Sequence, residues 1–152
     1  MSMKEQTSIR FKISSATLSP QDLEARLGLK PDDFWKAGTA RGAFGAVEKK
    51  HGFVLDSKLP PHRSLEEHMK EMIQRLAPYA QKIGALGAEV EAEFVCTIHR
   101  ERAPRLKFLR DDIRWLGVMG ARLDVDVFTV AEPPKPAPKP GGGAGGAATS
   151  GF

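Results

Sequence analysis

Three arginines in one short segment are the densest positive feature of the sequence. Arg100, Arg102 and Arg105 lie between a predicted strand and a predicted helix, so we expect their guanidinium groups to be exposed. A guanidinium donates from a planar fork that matches the two oxygens of a carboxylate or a phosphate. The segment has no interleaved aromatic residue of the kind that stacks on nucleic-acid bases. We predict contact with a partner protein, and the alternatives are weak nucleic-acid binding and a solvated loop without a partner.

An aromatic and basic group lies earlier in the chain. Trp35 and Lys36 precede a glycine-rich stretch, and Arg41 lies within it. A tryptophan beside a flexible loop is a typical binding anchor, although the same residue could cover the end of a hydrophobic core. The glycines lack the Lys-Ser or Lys-Thr ending of a phosphate-binding loop. We predict that Trp35, Lys36 and Arg41 line one protein-contact surface and that the three arginines described above line another.

Two aspartates provide the main alternative function. Asp124 and Asp126 share one face of a predicted strand, where paired carboxylates could act as acid and base or hold a hard cation. A small-ligand-binding or hydrolytic domain would use this open sheet face. The simpler interpretation is a charge ladder, in which the first strand lies between two acidic strands and pairs Arg10 and Lys12 with carboxylates on both sides. A concave pocket around the aspartates would favour a ligand, and a flat ladder would favour a protein partner.

The remaining reactive side chains form no recognisable site. Cys96 is the only cysteine, which excludes an internal disulfide and a cysteine-rich zinc site, and it lies on the inward face of a predicted strand. Burial there would raise its pKa and make the thiol unreactive. His62 and His68 are six residues apart, which is not metal-ligand spacing on a helix, and His68 is expected to be half-buried. We predict no catalytic residue, no metal and no cofactor.

Length and composition fit one domain followed by a tail. The chain has 152 residues and a net charge of +4, which permits nucleic-acid binding without arguing for it. Residues 1–131 are predicted to form the domain. Residues 132–152 are rich first in Pro and Lys and then in Gly and Ala, and they are predicted to be a disordered tail. We recognise no signal peptide or membrane-spanning run and therefore expect a cytoplasmic protein without membrane contact.

Strands are predicted from alternating polarity. Residues 8–13, 89–99 and 121–130 alternate apolar and polar side chains, as strands with one wet face do. Residues 43–47 and 53–57 are predicted to pair with each other as a hairpin whose turn contains a glycine.

Helices are predicted from capping signals and apolar spacing. Ser19 and Ser64 each begin a capping box, and Gly28 can end the first helix. Pro78 is expected to break the second helix near Ala77. A third helix is predicted to bury an apolar stripe that consists of Leu106, Leu109, Ile113 and Leu116. The elements predict an α+β fold: a single mixed or antiparallel sheet of four to five strands with three helices mainly on one face. The nearest architecture is a ferredoxin-like sandwich.

Six runs of the sequence follow one another in a recognisable order. They are Leu18-Ser19-Pro20, Leu27-Gly28-Leu29-Lys30-Pro31, Lys36-Ala37-Gly38, Gly52-Phe53-Val54-Leu55-Asp56-Ser57, Ser64-Leu65-Glu66-Glu67-His68 and Leu123-Asp124-Val125-Asp126-Val127-Phe128. Over roughly residues 8–130, the chain with these runs resembles a family of small bacterial proteins, the domain-of-unknown-function 4279 family. The resemblance implies the fold and a bacterial cytoplasmic setting, and it offers no catalytic residue to transfer.

The sequence as a whole favours a binding function. We predict a non-enzymatic protein that acts through protein–protein contact, as small immunity or adaptor proteins do. The reason is that no catalytic constellation is recognisable, whereas two charged surfaces on loops remain. The identity of the partner and the oligomeric state are left open.

Overall fold

A five-stranded sheet forms the centre of the molecule. The computed structural model describes residues 5–129, so the predicted tail and the domain boundary at residue 131 lie outside the described residues. Across the sheet, with strands numbered in chain order, the sequence of strands is β2 (Asp33–Trp35), β5 (His51–Asp56), β1 (Gln6–Ser15), β6 (Glu91–Arg100) and β7 (Ala121–Thr129). Neighbours are antiparallel except β6 and β7, which are parallel. A separate hairpin consists of β3 (Ala40–Arg41) and β4 (Ala46–Val47).

Alternating side chains place the hydrophobic core on one face of the sheet. Ile9 and Phe11 of β1 are buried beneath the helices, and Phe94 of β6 packs edge-on against Phe11 with ring centroids 5.2 Å apart. Successive side chains of a strand point to opposite faces. Arg10 and Lys12 therefore lie on the other face of the sheet, which we call the outer face.

Local capping signals set the ends of the helices. Four helices are described: α1 (Pro20–Leu27), α2 (Leu65–Leu76), α3 (Ala80–Ala85) and α4 (Arg110–Met119). The hydroxyls of Ser19 and Ser64 each accept the backbone N–H three residues later at 3.1 Å, which confirms both capping boxes. Pro78 lies in the short 3₁₀ turn between α2 and α3, as predicted. Within residues 5–129, no helix has the length and apolar character needed to cross a membrane.

The fold has the predicted α+β class. The helices pack on one face of a single mixed sheet, and the second of the three predicted helices is interrupted into α2 and α3. The ferredoxin-like arrangement is not confirmed. The connection from β6 to β7 is a crossover through α4, and such a crossover makes the two neighbours parallel.

The predicted hairpin between residues 43–47 and 53–57 is wrong. β4 pairs with β3, whereas β5 joins the main sheet between β1 and β2. Burial explains the difference, because Phe53, Val54 and Leu55 are buried on both faces of the sheet, as a central strand requires. Val47 of β4 is exposed, so β4 does not pack against the core.

The predicted position of β1 between the two acidic strands is also wrong. β6 separates β1 from β7, and β5 lies on the other side of β1. The cations of β1 nevertheless meet carboxylates on both sides. Arg10 Nε binds Asp56 of β5 at 3.0 Å, and Lys12 Nζ lies 3.6 Å from a carboxylate oxygen of Glu93 on β6.

The prediction that the third helix buries its whole apolar stripe is wrong in part. Leu116 of α4 is buried, but Leu109 is 45% exposed, Ile113 is 56% exposed and Leu106 is also exposed. α4 lies over β7, which is one of the two edge strands, so the outer flank of α4 extends past the sheet. Helical spacing identifies an apolar stripe but does not show how wide a surface is available to cover it.

Candidate functional site

The indole of Trp35 lies on the outer face of the sheet and forms a platform. Trp35 faces Gly52 across the β2–β5 pair, and a Cβ atom at residue 52 would lie 2.1 Å from Trp35 Cε2. The guanidinium of Arg41 stacks on the ring, 4.0 Å from its centroid, and donates to Asp33 Oδ2 at 3.0 Å. Trp35 is consequently only 8% exposed. It holds Arg41 in place and is not itself an exposed anchor.

The β3–β4 hairpin and its flanking residues form the hairpin arm (residues 38–48), which brings Arg41 over the indole. At the base of the arm, the Glu48 N–H donates to the Thr39 carbonyl at 2.9 Å. Lys36, the third residue of the predicted surface, is exposed just before the arm. The structure therefore brings Trp35 and Arg41 together and leaves Lys36 in solvent beside them.

The tip of the hairpin arm presents an aromatic side chain to solvent. Gly42 and Gly45 have φ angles of 83° and 65°, in the left-handed region that favours glycine. Phe44 lies between them and is fully exposed. Val47, on the returning strand, is exposed as well. The arm thus holds apolar side chains away from the core rather than against it.

The three arginines of the second predicted surface have different environments. Arg100 is anchored, because it donates to Thr7 Oγ1 at 2.7 Å and to the His99 carbonyl at 2.9 Å. Arg105 is exposed and lines an open cavity of about 240 Å³ together with Arg100. Arg102 is exposed and is not one of the residues that line this cavity.

The two predicted surfaces lie at opposite ends of the sheet. Trp35 faces Gly52, which pairs with Ser14, and Ser14 pairs with Glu91 at the start of β6. Arg100 is the last residue of β6. The nine-residue step between the two ends of β6 corresponds to about 30 Å. A single small ligand does not span this distance, so the two surfaces are separate.

The outer face around Asp124 is a salt-bridge ladder. Glu93 of β6 is its centre: Arg122 lies 2.7 Å from Glu93 on one side, and Lys12 lies on the other. Arg122 also binds Asp124 at 3.1 Å, while Asp126 is exposed. Hydrogen bonding with Glu93 and with Arg122 lowers the pKa of Asp124. Asp124 is therefore ionised at neutral pH, which does not suit a general acid.

A buried serine–histidine pair was missed by the sequence analysis. His68 is 1% exposed rather than half-buried, and its Nδ1 lies 2.8 Å from the Ser57 hydroxyl. Its Nε2 lies 3.1 Å from the Pro60 carbonyl, which can only accept. Nε2 therefore has the proton, and Ser57 donates to Nδ1. The pair connects the end of β5 to α2, and its burial suits a structural role.

Acidification is expected to destabilise the fold through His68. Burial holds the pKa of His68 below its ordinary value of 6.5, so the unfolded chain takes up a proton that the folded protein resists. The free energy of unfolding should therefore fall as the pH drops below about 6.5 and be regained above it. His68→Asn keeps an acceptor for Ser57 and does not titrate. Urea unfolding at pH values of about 7, 6 and 5 should show that this variant loses less free energy of unfolding on acidification than the unmodified protein does. An equal loss in both proteins would assign the effect to another group.

The remaining reactive residues give no catalytic arrangement. Cys96 is buried as predicted, and burial raises its pKa to about 12, so the thiol is unreactive at neutral pH. Within residues 5–129, no group of three or more His, Cys, Asp or Glu side chains could hold a metal ion.

Three residues of β2, β5 and the hairpin arm were not identified from the sequence as part of the candidate site. Asp33 fixes Arg41, Gly52 provides the space for the indole, and Phe44 forms the exposed tip of the arm. Only Phe44 has a local signal, since an aromatic residue close to two turn glycines is unusual for a core position. The other two depend on the β2–β5 pairing, which the sequence analysis did not predict.

Comparison with known proteins identifies the family alone. No curated protein and no solved structure matches the chain. The family described as "Domain of unknown function (DUF4279)" matches residues 5–129, which include every described helix and strand. The chain therefore belongs to the DUF4279 family.

Proposed function

We propose that this protein is a non-enzymatic binding domain that contacts a partner protein through the tip of the hairpin arm. The full exposure of Phe44 supports this proposal most directly. Covering an exposed aromatic side chain with a partner lowers the free energy, because apolar surface is removed from water. Aromatic and arginine residues also contribute most of the binding energy of protein interfaces. The fitting partner has an apolar pocket for Phe44 and acidic groups for Arg41 and Lys36. An immunity- or adaptor-like role in a bacterial cytoplasm belongs to this proposal.

The fixed position of Arg41 supports the same surface. Its guanidinium is stacked on Trp35 and bound to Asp33, so it loses little conformational freedom when a partner binds. Arg41 has five N–H donors, and its hydrogen bond to Asp33 uses one of them, which leaves others for a partner carboxylate. A preorganised arginine next to an exposed aromatic is the combination that interface hot spots use.

The two alternative functions have weaker support. A ligand or hydrolytic site would need Asp124 to be available, but Arg122 already binds it within the salt-bridge ladder. Nucleic-acid binding would rest on the second surface, where Arg100 is held by Thr7 and no aromatic residue lies between Arg100 and Arg105 in the sequence.

Substitution of Phe44 tests the proposed contact. The full-length protein is used to isolate its partner from the source organism, and the affinity of the purified pair is then measured by calorimetry. Phe44→Ser should weaken binding by at least about tenfold, which corresponds to about 1.4 kcal/mol. Because Phe44 contacts solvent on all sides, its removal should leave the thermal midpoint unchanged.

Val118→Ser provides the matched control. Val118 is also exposed and apolar, but it lies on α4, away from the hairpin arm. This variant should bind like the unmodified protein. Equal affinity of the Phe44→Ser and Val118→Ser variants would contradict the proposed surface, and the absence of any stoichiometric partner would contradict the function itself.

A further inference from the structure

The cavity beside Arg100 and Arg105 has a positively charged lining. It lies between the first turn of α2 and the segment that joins β6 to α4, and its volume is about 240 Å³, slightly below the usual range for drug-sized ligands. We call it the basic cavity. Its charged lining residues are the cations Arg100, Arg105 and Lys107 and the acid Glu66. The lining therefore has an excess of two positive charges.

Arg100 is half-buried without a counter-charge. Its guanidinium donates to the hydroxyl of the buried Thr7 at 2.7 Å and to the His99 carbonyl at 2.9 Å, and both acceptors are neutral. Within residues 5–129, Arg100 forms no ion pair. Partial removal of a charge from water costs free energy unless an opposite charge lies close to it. Arg100 is thus fixed beside the cavity and has three N–H donors left for an anion.

The other two cations are exposed and have few contacts. Arg105 forms no hydrogen bond and no ion pair within residues 5–129. Lys107 Nζ lies 3.9 Å from a carboxylate oxygen of Glu66, and an exposed pair at that distance contributes little to stability. Both side chains can therefore turn towards a ligand without breaking a contact that the fold needs.

We infer that the basic cavity binds a phosphate monoester, with Arg100, Arg105 and Lys107 contacting the phosphoryl oxygens. A monoester has a charge of about −1.5 to −2 at neutral pH, which matches the excess of two positive charges in the lining. A carboxylate or a phosphate diester has a single negative charge. The planar fork of a guanidinium also matches two oxygens of a phosphoryl group. This site lies at the opposite end of the sheet from the hairpin arm, so the inference does not depend on the proposed function.

The rest of the lining limits the body of the ligand. Among residues 5–129, no aromatic side chain lines the basic cavity, so a nucleotide base would have no ring on which to stack. Leu65, Pro104 and Leu106 line it and suit a short carbon chain. A small phosphorylated metabolite and a phosphoserine side chain of another protein share this chemistry.

Titration with three probes tests the charge requirement. The full-length protein, labelled with ¹⁵N, is titrated at constant ionic strength with ethyl phosphate, diethyl phosphate and acetate at a pH of about 7.5, where the monoester is a dianion. Ethyl phosphate should bind with a dissociation constant of about 1 mM or below, and the two monoanions at least about tenfold more weakly. The amide signals of Leu65 and Leu106 should shift. Equal binding of the three probes, or shifts confined to other parts of the sheet, would overturn the inference.

Matched substitutions locate the contact. Arg105→Gln should weaken the binding of ethyl phosphate at least about tenfold, because a charged hydrogen-bond donor is lost. Arg102→Gln removes the same charge from the same segment but not from the cavity lining, so it should weaken binding less than about twofold. Glu66→Gln removes the opposing carboxylate and should strengthen binding. All three residues are exposed, so the thermal midpoint should stay unchanged. Equal losses for the two arginine variants, or a loss for Glu66→Gln, would contradict the site.

Two further probes distinguish the sources of the phosphoryl group. Glycerol 3-phosphate represents a free metabolite, and a tripeptide with a central phosphoserine between two alanines represents a modified partner protein. Both have the same dianionic group, so Arg105→Gln should weaken the binding of each. The probe that binds more tightly identifies the source. Failure of both probes to bind at about 10 mM, a concentration well above the expected dissociation constant, would overturn the inference.

Discussion

Gly52→Ala is expected to lower the free energy of unfolding by about 3 kcal/mol, near the loss seen when a buried tryptophan is removed. The new Cβ would lie 2.1 Å from Trp35 Cε2, so the indole would have to leave its place on the outer face. Arg41 would then lose the ring on which it stacks. Urea unfolding measures the change, and the thermal midpoint should drop by about 10 °C.

A double-mutant cycle separates this mechanism from a general effect on the strand. Trp35→Ala removes the indole, so adding Gly52→Ala to it should produce almost no further loss. Alanine by itself suits a strand at least as well as glycine does, so strand propensity predicts no loss. If the two substitutions destabilise the protein additively, Trp35 does not occupy the space over Gly52.

Gly84→Ala is expected to destabilise the protein by about 2–3 kcal/mol, in the upper part of the usual range for overpacking. A Cβ at Gly84 would lie 2.2 Å from the backbone carbonyl oxygen of Val118, which cannot turn away as a side chain can. α3 and α4 would have to separate. The loss would occur even though alanine favours a helix over glycine by about 1 kcal/mol. Urea unfolding of the full chain measures it.

Gly117→Ala, in the same pair of helices, is expected to have the opposite effect and stabilise the protein. No atom lies within 4 Å of a Cβ at Gly117, so only the helix propensity changes. This variant should be stabilised by up to about 1 kcal/mol. The prediction for Gly84 is wrong if both substitutions shift the midpoint in the same direction.

Signals that act over a few residues were predictable from the sequence. The capping boxes at Ser19 and Ser64 and the break at Pro78 depend on contacts within about four residues, so their spacing alone reveals them. The alternation in β1 and β6 likewise shows which side chains face the core. These local patterns are sufficient for the α+β class.

Strand pairing was less predictable because it joins residues far apart in the chain. The position of β5 beside β1 depends on its burial on both faces, which only the assembled sheet reveals. The contacts within the candidate site were hard to predict for the same reason. Trp35 and Arg41 were recognisable by residue type, but their stacking depends on how the hairpin arm folds over β2. Arg100 was predicted to be exposed, whereas its bond to Thr7 joins residues 93 positions apart.

The central position of β1 affects the order in which the chain can fold during synthesis. β1 is made first, but its partner strands come later, and Gln6 pairs with His99. At ordinary translation rates, the ribosome needs about 5–20 s to add the intervening residues. Until α1 and α2 have been made, the apolar side of β1 has no native cover, and Arg10 and Lys12 alternate with its apolar residues and lie on the opposite face. Such charges act as gatekeepers against aggregation of a nascent strand, so these two cations protect the chain before they form any ion pair.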